Sequence, residues 1–308
     1  MKNTVRIIVL VLCIVIFLGS ASGIAYHYYL QAQAKKQYDA TSDLAGLGNL
    51  NDITPPVDPD PPVDPGPVDP YEGLDKGNRV LFETDPYAQA LKETDFEALL
   101  KKNPDTKGWI FMPGTDISYP IVQGTDNDHY LTYTFDGYWN NAVGSIYLDY
   151  RCDPTFQDFH TIIYGHRLNR GSMFSDLNGF TEDPEFYKTH TCFYIALIDG
   201  SVYRYDIYAA CEAPVPGDTW RLGLKDEYGK QAYIDYNLYL SVLEPNAIPT
   251  TSDKVITLST CTGHGHHSRC VVQGYQAAVF VETERELYGL EPLPEPAPEP
   301  APEPAPES

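Results

Sequence analysis

The stretch KVITLSTCTGHGHHSRCVVQGYQAAVFVE, residues 254–282, decides how this chain is to be read. Two runs rich in Val, Ile, Thr and Tyr flank the seven residues TGHGHHS, the composition of two strands joined by a hairpin loop. In the first run Val255 and Thr257 alternate with Ile256 and Leu258, so the strand is packed up to its last residues. Cys261 then stands at the strand's mouth beside a polar loop, and in a hairpin Arg269 at the start of the return strand faces it. Most cysteines are simply buried. One that is half exposed becomes a nucleophile when a base or a positive neighbour draws off its proton. Arg269 is open to two readings, a surface charge at a strand start or a guanidinium that donates hydrogen bonds to a carbonyl or developing oxyanion.

Working outward, the same kind of segment recurs. GWIFM (108–112), ISYPIVQ (117–123), GSIYLDY (144–150), HTIIYGH (160–166), CFYIALI (192–198) and VYRYDIYAACEA (202–213) are separated by turn residues. Short runs of this type predict a mixed or antiparallel sheet that closes into a barrel. Helices are expected where Asp85-Pro86 supplies a cap and first residue for YAQALKE, and where Thr94 and Glu97 form a capping box before FEALLKK. A third helix is expected over about 230–245, between two late strands, from Ile234, Leu238 and Val242 at four-residue spacing. The fold class is therefore α+β with a closed β-barrel. His166 ends the HTIIYGH segment after Gly165, which permits tight backbone geometry at the sheet edge. Spacing alone does not unite this histidine with Cys261.

The ends of the 308-residue chain are of different character. Lys2 and Arg6 precede an uncharged run from Ile7 to Tyr26, long enough to cross a bilayer as a helix. A cleaved signal peptide and an uncleaved anchor both fit such a run. The anchor is the expectation, because the run continues into Tyr26, Tyr28, Tyr29 and Leu30 before Lys35 and Lys36, the pattern of a far membrane interface. Eight of the 26 prolines fall between Pro55 and Pro70 and eight more between Pro292 and Pro306, marking extended, solvated tracts. The chain thus divides into a transmembrane signal anchor (1–30), a Pro/Asp-rich extended linker (31–78), one folded domain (79–290) and a Pro/Glu/Ala-rich disordered tail (291–308). Positive residues before the span keep the N-terminus inside and export the rest, giving a single-pass membrane protein with an extracellular domain. With 29 acids against 16 bases from Gly77 to Leu290, nucleic-acid binding is excluded.

TLSTC at 257–261 with Arg269, together with YGH at 164–166 followed by RGSMF, closely resembles the sortase family of cell-surface cysteine transpeptidases, class B in particular. GWIFMPGTDISYPIVQGTDNDHYL (108–131) and GSIYLDYR (144–151) are similar to the family's N-terminal half, and the late inserted helix to the insertion that marks class B. The resemblance implies a sortase-like barrel with N-terminal helices. It implies that Cys261 attacks the threonine carbonyl of a C-terminal sorting signal on an exported protein. His166 would protonate the leaving amine and later deprotonate the incoming one, and Arg269 would hold the oxyanion. An amine of a peptidoglycan precursor or wall peptide would resolve the thioacyl intermediate. Ser259 would line the substrate groove, as would Trp220 or Leu222 from the segment before the inserted helix.

Two alternatives within enzymology are a pilus-polymerising sortase and a hydrolytic cysteine endopeptidase. Papain-like endopeptidases carry cysteine before histidine, the reverse of the order here. A tethered adhesion module, with Cys261 and His166 as packing residues, is the non-enzymatic alternative. His264, His266 and His267 bring imidazoles close to Cys261, but their intervals are too short for one tetrahedral set, and a zinc on Cys261 would block the nucleophile. No metal and no cofactor are expected. Whether Cys192 and Cys211 are joined is not decided by spacing.

Overall fold

The computed structural model describes residues 2–54, 74–140, 142–168, 171–262 and 267–290. The Pro-rich tracts at 55–73 and 291–308, both read as extended, lie outside these residues, as do His264 and His266. The strands are β1 (Arg79–Leu81), β2 (Thr106–Phe111), β3 (Ser118–Val122), β4 (Ile146–Leu148) and β5 (His160–Tyr164), followed by β6 (Cys192–Leu197), β7 (Val202–Pro214), β8 (Val255–Cys261) and β9 (Ser268–Val281). They form one sheet in the order β1-β9-β7-β6-β2-β3-β4-β5-β8, and β8 pairs with β9 as well. That pairing closes β2 to β9 into an eight-stranded barrel, the expected architecture. β1, too short to read from sequence, adds in parallel to the far end of β9 through Arg79–Val279 and Leu81–Val281.

Helices α1 (Lys2–Leu44), α2 (Pro86–Lys92), α3 (Phe96–Lys102), α4 (His129–Thr132), α5 (Gly179–Glu182), α6 (Phe186–Thr189), α7 (Glu227–Leu240) and α8 (Glu284–Leu287) surround the barrel. Asp85 caps α2 as expected, accepting from Tyr87 and Ala88 N–H. The α3 cap is Asp95, not Thr94: Asp95 accepts from Ala98 N–H, while the Thr94 hydroxyl donates to the Leu91 carbonyl. α7 lies between β7 and β8, as read, but begins earlier, at the Asp226 cap, and ends before Val242. Val242 instead donates its N–H to the Ala210 carbonyl and is exposed, so it belongs to the return path along β7.

The start of the chain departs from the reading. Where an extended linker is expected from residue 31, α1 continues unbroken to Leu44. Leu30, Ala34, Tyr38, Thr41 and Ala45 recur at helical spacing and are buried, followed by buried Leu47 and Leu50. The Tyr38 hydroxyl donates to the Gly144 carbonyl at 2.7 Å, and Asn51 Nδ2 donates to the Thr115 carbonyl at 2.8 Å. The first half of α1 is different: Ile7 to Leu18 has no buried side chain, and the helix is long and apolar enough to cross a membrane.

The strand period of two sorts β8 and its neighbours into faces. Ile256, Leu258, Cys270, Val272 and Ile163 enter the main core inside the barrel. Val255, on the other face of β8, packs with Phe159, Tyr208, Tyr233 and Ile234, so α7 covers the outside of the barrel here. Beneath α7 lies a buried polar cluster centred on His160. Its Nδ1 donates to the Arg221 carbonyl at 2.7 Å, and its Nε2 accepts from the Tyr233 hydroxyl at 2.7 Å. Gln273 Nε2 donates to the Tyr233 and Thr257 hydroxyl oxygens, both at 2.8 Å, and its Oε1 accepts from Tyr208 at 3.0 Å. These bonds satisfy the polar atoms that α7 seals from water, and they tie the insertion to β5, β8 and β9.

Burial holds the His160 ring neutral, pushing its pKa from 6.5 down to about 4. Between these values the unfolded chain takes up a proton that the native ring refuses. The associated stability is complete above about pH 6.5 and is lost as pH falls towards 4, by roughly 3 kcal/mol at ~1.4 kcal/mol per pH unit. Urea titrations at about pH 7 and about pH 4.5 should show His160→Gln less stable than the parent at the higher pH but losing less on acidification. An equal acid loss in both proteins would show that His160 is not the group responsible.

Candidate active site

Cys261 occupies the last position of a strand that is hydrogen-bonded on both sides. Antiparallel pairing with β9 runs through to Cys261–Arg269, which places the guanidinium residue directly opposite the cysteine. Parallel pairing with β5 brings Tyr164 opposite Ser259, and the Gly165 N–H extends that ladder to the Ser259 carbonyl at 3.0 Å. Two residues further along each chain stand His166 and Cys261. With strands about 4.8 Å apart, histidine, cysteine and arginine form a row across three strand ends. All three border one cleft of about 270 Å³, together with Ser259. The odd-numbered positions of β8 face away from the barrel interior, so the cleft opens on the face whose lower part α7 covers.

His166 is held by its surroundings rather than by a carboxylate. Its Nε2 lies 2.7 Å from the Leu131 carbonyl. A carbonyl only accepts, so Nε2 carries the hydrogen and Nδ1 is the nitrogen left to exchange a proton. Burial lowers the pKa of the ring, against the opposing pull of the Leu131 carbonyl. The imidazolium, when formed, is therefore a stronger acid than a solvated histidine. Gly165 is required for close packing: a Cβ there would lie 2.4 Å from Ile146 Cδ1 and 2.7 Å from the Phe174 ring. Gly144 backs the Leu131 carbonyl, with φ at +55° and space for a Cβ only 2.6 Å from that oxygen.

The arginines divide the remaining work. Arg269 lines the cleft, with Nη1 donating to the Ser268 carbonyl at 3.0 Å. Arg167, next to His166, donates from Nη1 to the carbonyl of Thr262, next to Cys261, and so clamps the two strand ends together. Arg151 makes paired bonds of 2.9 and 2.8 Å to buried Asp149. Burial pulls the Asp149 pKa up, but the hydrogen bonds from Arg151 and Asn127 outweigh it and keep the carboxylate charged. That carboxylate accepts from Asn127 Nδ2 and the Tyr164 hydroxyl, both at 3.0 Å, and so fixes two residues of the cleft wall.

Asn127, Leu131, Tyr147 and Tyr164 thus belong to the cleft although sequence reading did not single them out. The available signal was the Asp-rich turn GTDNDHYL, read only as a family segment. Trp220 and Leu222 are not brought to the cleft. Trp220 packs against Cys211, Ala213 and Val271 and donates from Nε1 to the Pro214 carbonyl at 2.8 Å, while Leu222 packs on the main core. No disulfide joins Cys192 and Cys211: both are free, with Cys192 opposite Asp206 and Cys211 opposite Val271. Burial pushes the thiols of Cys152, Cys192, Cys211 and Cys270 up to about 12. Cys261 is the barrel cysteine that opens on the cleft. Brief iodoacetamide treatment of the native protein, followed by peptide mapping, should therefore modify Cys261 and leave these four unmodified until the chain is unfolded. Equal native labelling of Cys152 or Cys270 would contradict this arrangement.

The family model of the sortase domain matches residues 110–277. Sortase B of Listeria monocytogenes is 35% identical over 179 residues, which cover 57% of this chain and 71% of that one. Sortase B of Staphylococcus aureus is 30% identical over 166 residues, 54% of this chain and 67% of that one. Among solved structures, a Staphylococcus aureus sortase B–substrate complex superposes with a TM-score of 0.55 at 28% identity, over 58% of this chain and 83% of that one. A Bacillus anthracis protein similar to sortase B gives a TM-score of 0.53 at 32% identity, over 59% and 82%. The family-model match spans β5, β8 and most of β9, and the chain belongs to the sortase family of cysteine transpeptidases, class B.

Proposed function

We propose that this sortase is held in the cell membrane by the first half of α1, with the barrel (79–290) outside, and that it cleaves a C-terminal sorting signal after threonine and joins the exported protein to a cell-wall amine. The observation that supports this most strongly is the row His166–Cys261–Arg269 across one cleft. The Cys261 thiolate attacks the threonyl carbonyl carbon, and the carbonyl electron pair moves to oxygen, where Arg269 donates hydrogen bonds. As the tetrahedral species collapses, the C–N bond breaks and the leaving amine takes a proton from the His166 imidazolium, giving a thioester. An amine of a peptidoglycan precursor or wall peptide then attacks the thioester and gives up a proton to His166 Nδ1. The thiolate leaves and the enzyme is restored.

The test is cleavage of fluorogenic Asn-Pro-x-Thr-type and Ser-Pro-x-Thr-type peptides with and without an amine acceptor. Cys261→Ala should abolish cleavage with the circular-dichroism spectrum intact, whereas substitution of Cys152, Cys192 or Cys211 should leave measurable activity. Cleavage that persists in Cys261→Ala would remove the proposed nucleophile. A guanidinium offers two parallel donors where an ammonium is a point charge. Arg269→Lys should therefore fold but lose roughly 10²-fold in rate, the scale of one oxyanion donor. Arg285→Ala, in α8 beyond the barrel, should stay near the parent rate. Near-full activity in Arg269→Lys would reduce Arg269 to an electrostatic neighbour.

A further inference from the structure

The loop after α4 exposes two large aromatic side chains that nothing in the chemistry uses. Tyr138 is 62% exposed and Trp139 55% exposed, and Leu131 on the same segment is 42% exposed. They are not placed at random. Tyr138, Trp139 and Asn140 line a cleft with Tyr26, Tyr29 and Leu30, the residues that end the apolar half of α1. Asn140 Nδ2 donates to the Leu30 carbonyl at 3.2 Å, so the loop is tied to the helix at that level. Above it, the stripe Ala34, Tyr38 and Thr41 of α1 is buried against the barrel; below it, the helix is exposed and apolar.

We infer that Tyr138 and Trp139 are a second membrane contact, inserted into the headgroup layer of the bilayer that α1 crosses. This rests on the anchoring proposed above. Tyr and Trp are favoured at that depth because the ring is apolar and its polar edge stays wet. Tyr26 and Tyr29 already mark the depth on α1, and the loop lies beside them. The contact also sets the height of the cleft. Asn140 N–H donates to the Thr132 carbonyl at 2.7 Å, and the carbonyl of the preceding residue, Leu131, holds His166 Nε2. The catalytic row is thus a few bonded residues from the bilayer surface, where a membrane-tethered substrate or a lipid-linked acceptor is presented.

The full chain, reconstituted in phosphatidylcholine vesicles brominated near the glycerol end of the acyl chains, provides the test. Vesicle flotation reports the anchor, and tryptophan emission reports the loop. Trp109 is buried in the core and Trp220 packs on Cys211, Ala213 and Val271, so the difference between the parent and Trp139→Phe isolates Trp139. The expected result is flotation of both proteins and loss of the Trp139 emission, greater with this lipid than with lipid brominated near the methyl end. Flotation with Trp139 emission unchanged would overturn the docking and leave the face to a second copy of the chain or another protein. Failure to float would overturn the anchoring and the docking together.

Discussion

The site depends on one strand being hydrogen-bonded along both edges. β8 closes the barrel by pairing in parallel with β5 and antiparallel with β9. Because register in a buried sheet is fixed by which side chains can face the core, Ile256 and Leu258 leave no freedom to slip by one residue. A shift of that size would turn Thr257 and Cys261 inward and carry Arg269 away from its partner. The positions of His166 and Arg269 relative to Cys261 are thus a consequence of packing in the barrel core, which fixes the register of β8 against β5 and β9.

Below the row, the outer face of the same three strands is sealed by α7 over a satisfied polar cluster. His160, Thr257 and Gln273 come from β5, β8 and β9 respectively, and Tyr233 from α7 joins them. An unsatisfied group at this depth would cost about 1–3 kcal/mol, so the hydrogen bonds act mainly by fixing one arrangement. Above them the insertion stops, and the cleft opens where the strands end. Cys261 stands beyond that cover, whereas Cys270, one strand over, points into the barrel core.

Much of this was legible in the sequence. The hairpin from Val255 to Val281 and the Cys261–Arg269 apposition followed from alternation and loop length, because local pairing needs no knowledge of the rest of the fold. The partnership with His166 did not follow from spacing, since a parallel pairing joins strands distant in sequence; only the family motif anticipated it. The packing of α1 on the barrel was missed for another reason. Its buried stripe is built from Ala34, Tyr38, Thr41 and Ala45, small or partly polar residues in a charged stretch that reads as linker. Trp220 and Leu222 were assigned to the groove from a loop whose path is set by tertiary contacts, and their side chains are used in packing instead.

In the proposed reaction Cys261 carries the acyl group between the two halves. The most direct measurement is intact-mass spectrometry of the enzyme quenched in acid during turnover of a cleavable sorting peptide, followed by peptide mapping. The expected result is a mass increase equal to the peptide fragment ending in threonine, located on the segment containing Cys261 and discharged when a primary amine acceptor is added. Peptide cleavage without such an adduct, or an adduct on another cysteine, would contradict it.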